Sequence, residues 1–454
     1  MAVIFAKQAL LPSGWTENVR VEIEHGLIAN VFPNLSCGSN DVRVDTLLPA
    51  LANVHSHSFQ RFMAGMTETR SSGKDNFWSW RDLMYRFAAR LTPDQIEAIA
   101  ALVFMEMQEA GFASVGEFHY IHHQQGGARY VDIAELSHRI FAAAITTGIG
   151  LTHLPVLYTY GGAGQAALAP GQLRFGNSVD QFLALVEAAQ NAFLLLPNDC
   201  RMGIAPHSLR ATSPDDLKAL LSAAVYGPVH MHVAEQTKEV DDVQAWLGAR
   251  PVEWLLNAAN VDANWCLIHA THMTATETFQ LAGSGAVAGL CPITEANLGD
   301  GVFSGEDYLH AGGAFGIGSD SNVQITLGGE LRMLEYSQRL HQRARNVMVV
   351  NEGSVGHALY TKAATGGAQA LGRNAGAIST GKLADLVAID STVPALCALN
   401  QSQLLDGLVF AAKDDVVTDV WSAGRHTVTG GRHNNRDAII ARYKKAAALL
   451  LGDI

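Results

Sequence analysis

Apolar and polar positions alternate strictly at the start of the chain and again near its end, but not in between. Val19-Arg20-Val21-Glu22-Ile23-Glu24 alternates, His25-Gly26 offers a turn, and Leu27 to Phe32 resumes, which predicts a β-hairpin. Ala384 to Asp390 and Val416 to Trp421 read as matching strands ahead of the turns at Gly424 and Gly430-Gly431. Neither end holds enough strands to bury a core alone. The two ends are therefore expected to meet in one small β-sandwich domain, residues 1–47 together with 376–454, finished by a helix from Asp437 to Leu451.

The middle, residues 48–375, has a different rhythm. Eight short apolar runs, each entered from a helix-like stretch, start at Leu48, Ser114, Gly150, Met202, Pro228, Trp265, Ala286 and Ala314. Typical intervening helices run from Pro93 to Ala110 behind Thr92 and from Pro214 to Ala224 behind Ser213, each with a capping hydroxyl before a proline at the first helical position. Strands alternating with helices imply parallel pairing and right-handed crossovers. Eight such units predict an α/β chain whose main domain is a (β/α)8 TIM-like barrel.

Composition narrows the class. Of 454 residues, 48% are hydrophobic and 16% charged, which suits a large buried core. A net charge of −12 argues against nucleic acid or anionic lipid as a partner, yet a few local arginines can still hold an anionic substrate. Cys37, Cys200, Cys266, Cys291 and Cys397 form no Cys-x-x-Cys pair, so neither a disulfide framework nor a thiolate zinc site is expected. Reduced thiols, with no export signal or spanning apolar run, predict a soluble cytoplasmic protein.

The run beginning at Leu48 ends in His55-Ser56-His57. Two imidazoles spaced one residue apart leave a strand on the same side and can chelate one transition metal, with zinc favoured by imidazole and iron or manganese also compatible. Other predicted strands end in His119-Tyr120, His207, His232 with Glu235, His269 and Asp320. A barrel gathers all these ends at one mouth.

His-x-His, His232-Val233-Ala234-Glu235, His269 and Gly318-Ser319-Asp320, with Gly381-Lys382-Leu383-Ala384-Asp385-Leu386-Val387 further on, resemble the amidohydrolase superfamily and within it the single-metal deaminases. The resemblance implies that His55, His57, His232 and Asp320 ligate one divalent ion. It also gives Asp320 the role of base toward water, Glu235 that of proton shuttle and His269 that of charge stabiliser. No lysine lies within 201–208 to bridge a second metal.

Ser56 to Arg61, Phe77 to Arg81, Glu117 to Tyr120, His207 to Arg210 and Ser319 to Ser321 further resemble the deiminases of N-formimino-L-glutamate in histidine degradation. That implies a small anionic amidine as substrate. Arg81 and Arg210 are the candidates for its two carboxylates, Gln60, Tyr120 and His207 supply neutral hydrogen bonds, and Arg61, Arg70 and Arg86 are rivals. The alternatives are a deaminase of a purine, pterin or guanidino compound and, in another class, a non-catalytic barrel scaffold. One departure is Asn322, where the resemblance implies histidine; asparagine donates a hydrogen bond but carries no charge.

Other features read plainly. His122-His123 is expected to be exposed, His230 to pack the barrel or support a ligand, and Gly161-Gly162-Ala163-Gly164 to be a flexible insertion and no phosphate loop. Phe77, Trp78, Trp80 and Tyr85 suit either a lid or an anchor. Apolar residues in 252–256 and in the C-terminal helix suit a homodimer or packing on the barrel.

Overall fold

A computed structural model describes residues 2–70, 75–223 and 227–452. Barrel strands one to three are Leu51–Ser56, Phe112–His119 and Gly150–Leu157. Strands five to eight are Val229–Val233, Trp265–His269, Val287–Leu290 and Ala314–Ile317, all paired in parallel. Strand four is broken into Arg201–Met202 and Ala205–Pro206, both beside strand three. A parallel bridge between Ile204 and Val229 closes the ring. The helix Pro93–Glu109 starts on the Thr92 cap, and Pro214–Ser222 starts on Ser213; residue 224, the expected end of the latter, lies outside the described residues.

The barrel floor is closed by the helix Val355–Ala370. A Cβ at Gly366 would collide with the Phe315 carbonyl, so only glycine lets this helix lie so close to strand eight. Carbonyls beyond it reach under the strands, Ala370 accepting from His230 Nε2 at 2.7 Å and Leu371 from Thr152 Oγ1 at 2.9 Å. His230 is thereby occupied at the end away from the mouth.

Both chain ends contribute to a second, eight-stranded sheet. Its order is Arg432–His433, Arg425–Thr429, Val417–Ser422, Leu386–Ile389, Val42–Pro49, Ala2–Leu11, Gly14–Glu24 and Leu27–Phe32, antiparallel except where Ala2–Leu11 meets Val42–Pro49. The sheet folds over itself in sandwich fashion, so Ile28 from one edge and Trp421 from the other half share one apolar cluster with Ile4 and Leu386. The run starting at Leu48 is two elements: Val42–Pro49 belongs to this sheet, and Leu51 begins the barrel after the single residue Ala50. Continuous apolarity hid the change of sheet.

The helix Arg436–Gly452 packs along Pro93–Glu109. Val252 and Leu255 are wholly buried, so the apolar residues of that stretch belong to the core. His122 and His123 are buried, not exposed as expected. Their Nε2 atoms meet the carbonyls of Val156 and Gly176 at 2.9 Å each, partners that sequence spacing does not announce.

Candidate active site and metal centre

At the mouth the backbone departs from strand geometry where the polar residues sit. Ala234, His269, Ala270, Asp320 and Asn322 all have positive φ, between 46° and 68°. Non-glycine residues in that region carry strain, and its concentration at strand ends turns side chains into the cavity. Asn322 stabilises one such turn. Its amide nitrogen donates to the Asp320 carbonyl at 3.0 Å and to Ser56 Oγ at 3.2 Å, while its oxygen accepts from Ser319 Oγ at 2.6 Å. Asparagine tolerates this conformation, and the position functions as a neutral clamp.

Three imidazoles converge beneath that clamp. His55 Nε2 lies 3.1 Å from both His57 Nε2 and His232 Nε2, and Asp320 Oδ1 is 3.6 Å from the first and 3.4 Å from the second. The Nδ1–H groups of His57 and His232 donate to the carbonyls of Phe118 (2.9 Å) and His207 (3.0 Å), so their Nε2 lone pairs point at one another. Such a knot of lone pairs has the donor set to hold a cation. Four arms of about 2.0–2.1 Å around zinc would place ligand atoms about 3.3 Å apart, close to what these residues show. Burial pushes His57 down to about 4 and His55 and His232 well below the ordinary range, leaving neutral rings suited to ligation.

Three further ionisable groups, Asp320, His269 and Glu235, lie alongside. Burial raises Asp320 to about 7, its attraction to His269 opposes that, and repulsion from Glu235 and Glu295 adds to it. Burial alone would lower His269, but the hydrogen bond to Glu295 at 3.2 Å and the charges of Glu235 and Asp320 outweigh it and lift this ring to about 10. His269 Nε2 stands 3.9 Å from Glu235 and 3.8 Å from Asp320. Burial also works against the Glu235 carboxylate, yet Arg210 at 2.6 Å holds it ionised.

These groups face one cavity of about 240 Å³, lined among others by His57, Gln60, Arg81, Tyr120, His207, Arg210, His232, Glu235, His269 and Asp320. Every site residue expected from the sequence reaches it except His55, which lies just beneath. Gln60 donates to the Tyr120 hydroxyl at 2.9 Å. Gln60 Oε1, Arg81 Nε and Arg210 Nε are buried with no hydrogen-bond partner. Of the rival arginines, Arg61 is committed to Glu106 at 2.8 Å and to the carbonyls of Asn322 and Val323, while Arg70 and Arg86 do not line the cavity.

The aromatic stretch forms the helix Phe77–Ala88, whose Phe77, Trp78, Trp80 and Tyr85 wall the cavity, and Gly161, Gly162 and Ala163 also border it, Gln172 bridging Gly161 to Tyr85. Sequence reasoning missed the supporting carboxylates. Glu117 accepts from Ser58 N and Oγ, Glu239 from the amides of Ala234 and Glu235, and Glu295 from Cys291 N as well as His269. Glu117, inside strand two, and Glu295, five residues past the end of strand seven, carried a positional signal, and Glu239 carried none.

The profile of the Amidohydrolase family matches residues 46–427, most of the chain. The chain belongs to the amidohydrolase family. Residues 1–45 match a second profile, described as Formimidoylglutamate deiminase HutF, N-terminal domain. Among proteins similar to this amidohydrolase is one from Pseudomonas aeruginosa named Formimidoylglutamate deiminase, 46% identical over 457 residues and covering 100% of each chain. A 5-methylthioadenosine/S-adenosylhomocysteine deaminase of Natronomonas pharaonis is 26% identical over 85% of this chain and 80% of its own. A crystal structure of an amidohydrolase from Brucella melitensis superposes with a TM-score of 0.95 at 49% identity, covering 99% of this chain and 100% of the other. An adenosine deaminase from Xanthomonas campestris with bound zinc shares the fold, with a TM-score of 0.81 at 21% identity over 99% and 98% of the two chains.

Proposed function

We infer that this amidohydrolase hydrolyses N-formimino-L-glutamate to N-formyl-L-glutamate and ammonia, as a step of histidine degradation. The observation that carries the reading is the 46% identity, end to end, with a protein named for that deiminase activity. The cavity is chemically consistent with it, since a histidine cluster and two arginines share one mouth. We assign His55, His57, His232 and Asp320 to one divalent ion, with zinc preferred. When bound, the ion supplies positive charge that lets water ionise near neutral pH.

The chain's own residues then divide the work. Asp320 takes the proton from the attacking water as its oxygen forms a bond to the formimino carbon. His269 stabilises the charge developing around that carbon, with Glu295 fixing its ring. Glu235, ionised at rest, takes up that proton from Asp320 and relays it to the terminal nitrogen, and the hydroxyl proton follows the same route as the C–N bond breaks, so ammonia departs as the oxygen becomes the formyl carbonyl. Arg81 and Arg210 hold the two carboxylates, while Gln60, Tyr120 and His207 fix orientation through neutral hydrogen bonds. Burial keeps Tyr120 protonated and His207 uncharged, which suits them to that part.

We further assign residues 1–49 with 376–454 to the small domain and 51–375 to the catalytic one, the boundary falling at Ala50 and not after residue 47 as expected. A reducing, cytoplasmic location is supported by five free cysteines. Turnover of the formimino acid against a panel of purine, pterin and guanidino compounds tests the reading. A preference for any cyclic amidine overturns it, and loss-free turnover after complete metal removal overturns the ligand assignment.

A further inference from the structure

Among the described residues, three Lys and Arg side chains line the cavity, and they are not equally available. Arg210 is buried between Glu235 at 2.6 Å and Glu239 at 3.7 Å. Arg81 sits 4.5 Å from the centre of the Trp78 ring. Lys238, in the first turn of the helix Thr237–Leu247, places Nζ 5.9 Å from the same ring and holds both oxygens of Asp242, at 2.7 and 2.8 Å. Trp78 thus lies beside one partly buried and one exposed cation. Lys238 and Asp242 both line the cavity, and their side chains are 59% and 38% exposed.

An exposed i,i+4 pair is held weakly, so a carboxylate arriving from solvent can replace Asp242 at little cost. Arg210, flanked by the buried Glu235 and Glu239, has to share its charge with any guest carboxylate. The protein as a whole carries −12, which repels a dianion except along a local cationic track. We propose that Lys238 is a specificity residue at the mouth: it releases Asp242 to join Arg81 on one carboxylate of the incoming dicarboxylate, and Asp242 moderates its strength. The proposal deepens the deiminase reading and rests on a dicarboxylate being the guest.

Binding of N-formyl-L-glutamate to the metal-loaded protein, measured by calorimetry at several ionic strengths, tests it without requiring turnover. Lys238→Met keeps the apolar stem and should weaken binding about 3–10-fold, flatten its salt dependence and leave kcat for the formimino acid within about twofold. Asp242→Asn should tighten binding. Lys218→Met, an equal charge change on an exposed position of the helix Pro214–Ser222, should do neither. With a monocarboxylate analogue, the Lys238→Met penalty should shrink.

Unchanged affinity and salt slope in Lys238→Met, or an equal loss in Lys218→Met, overturns the proposal. So does a loss confined to kcat. Failure of the wild-type protein to turn over the formimino acid or to bind the formyl acid instead overturns the underlying reading, so the two failures remain separate.

Discussion

Arg210 and Glu235 meet at 2.6 Å in the wall of the cavity, a contact that would tie the proposed substrate anchor to the proposed proton relay. The guanidinium keeps Glu235 ionised. A carboxylate guest drawn to Arg210 competes for the same cation, which would loosen that hold and raise the proton affinity of Glu235 as catalysis begins.

Glu235→Gln preserves the shape and the hydrogen bond but abolishes the proton relay. We expect kcat to fall by about 10²–10⁴-fold with metal content unchanged. Steady-state kinetics beside elemental analysis decide it: near-native kcat would remove Glu235 from the mechanism.

The two arginines should respond differently to removal. Arg81→Met loses a ligand contact and should raise KM about tenfold or more while leaving the thermal midpoint in place. Arg210→Met also abandons Glu235 and Glu239, both buried, at a cost of about 3–5 kcal/mol, so its melting temperature should drop. Equal melting curves for both variants would contradict this division.

Chelation should abolish activity, lower the melting temperature and be reversed by added zinc. Metal at about a hundredfold over its Kd adds about 2.7 kcal/mol to the folded state. His232→Ala should behave as the chelated protein does even with zinc present, because three ligating side chains then remain from two strand ends. A fully active His232→Ala protein would refute the proposed ligand set.

Acid stability should be governed partly by histidines behind strands two and three. Burial pushes His122 and His153 each down to about 3 from an ordinary 6.5, the former bound to the Val156 carbonyl and the latter to Ser137 Oγ at 3.0 Å. The unfolded chain binds more protons than the folded one between those values. Stability is therefore full above about pH 6.5 and declines as pH falls toward 3. Denaturant titrations across that window should show a shallower decline in His153→Gln, and an unaltered slope would count against the assignment.

Much of this was legible before any coordinates. Alternation located the terminal strands, Thr92 and Ser213 announced their helices, and polar residues after apolar runs marked the mouth. What escaped has a common physical origin in long-range pairing. His122 and His123 looked exposed because their acceptors are backbone carbonyls more than 30 residues away. Glu239 gave no signal because its role is to accept two main-chain amides at an unusual turn at Ala234. The break in strand four at Gly203 and the change of sheet at Ala50 likewise left the apolar pattern intact.

Ala50 deserves a last consideration, since it leaves no slack between the two sheets. Its amide is held by the Asp385 carbonyl at 3.0 Å, and Asp385 is gripped in turn by Arg373 at 2.9 Å. Five residues later the same run delivers His55. Tension applied to the terminal strands, whether by a fusion partner, a truncation or a circular permutation, would be felt at the ligand cluster, so tolerant sites for engineering belong on outer loops far from this junction.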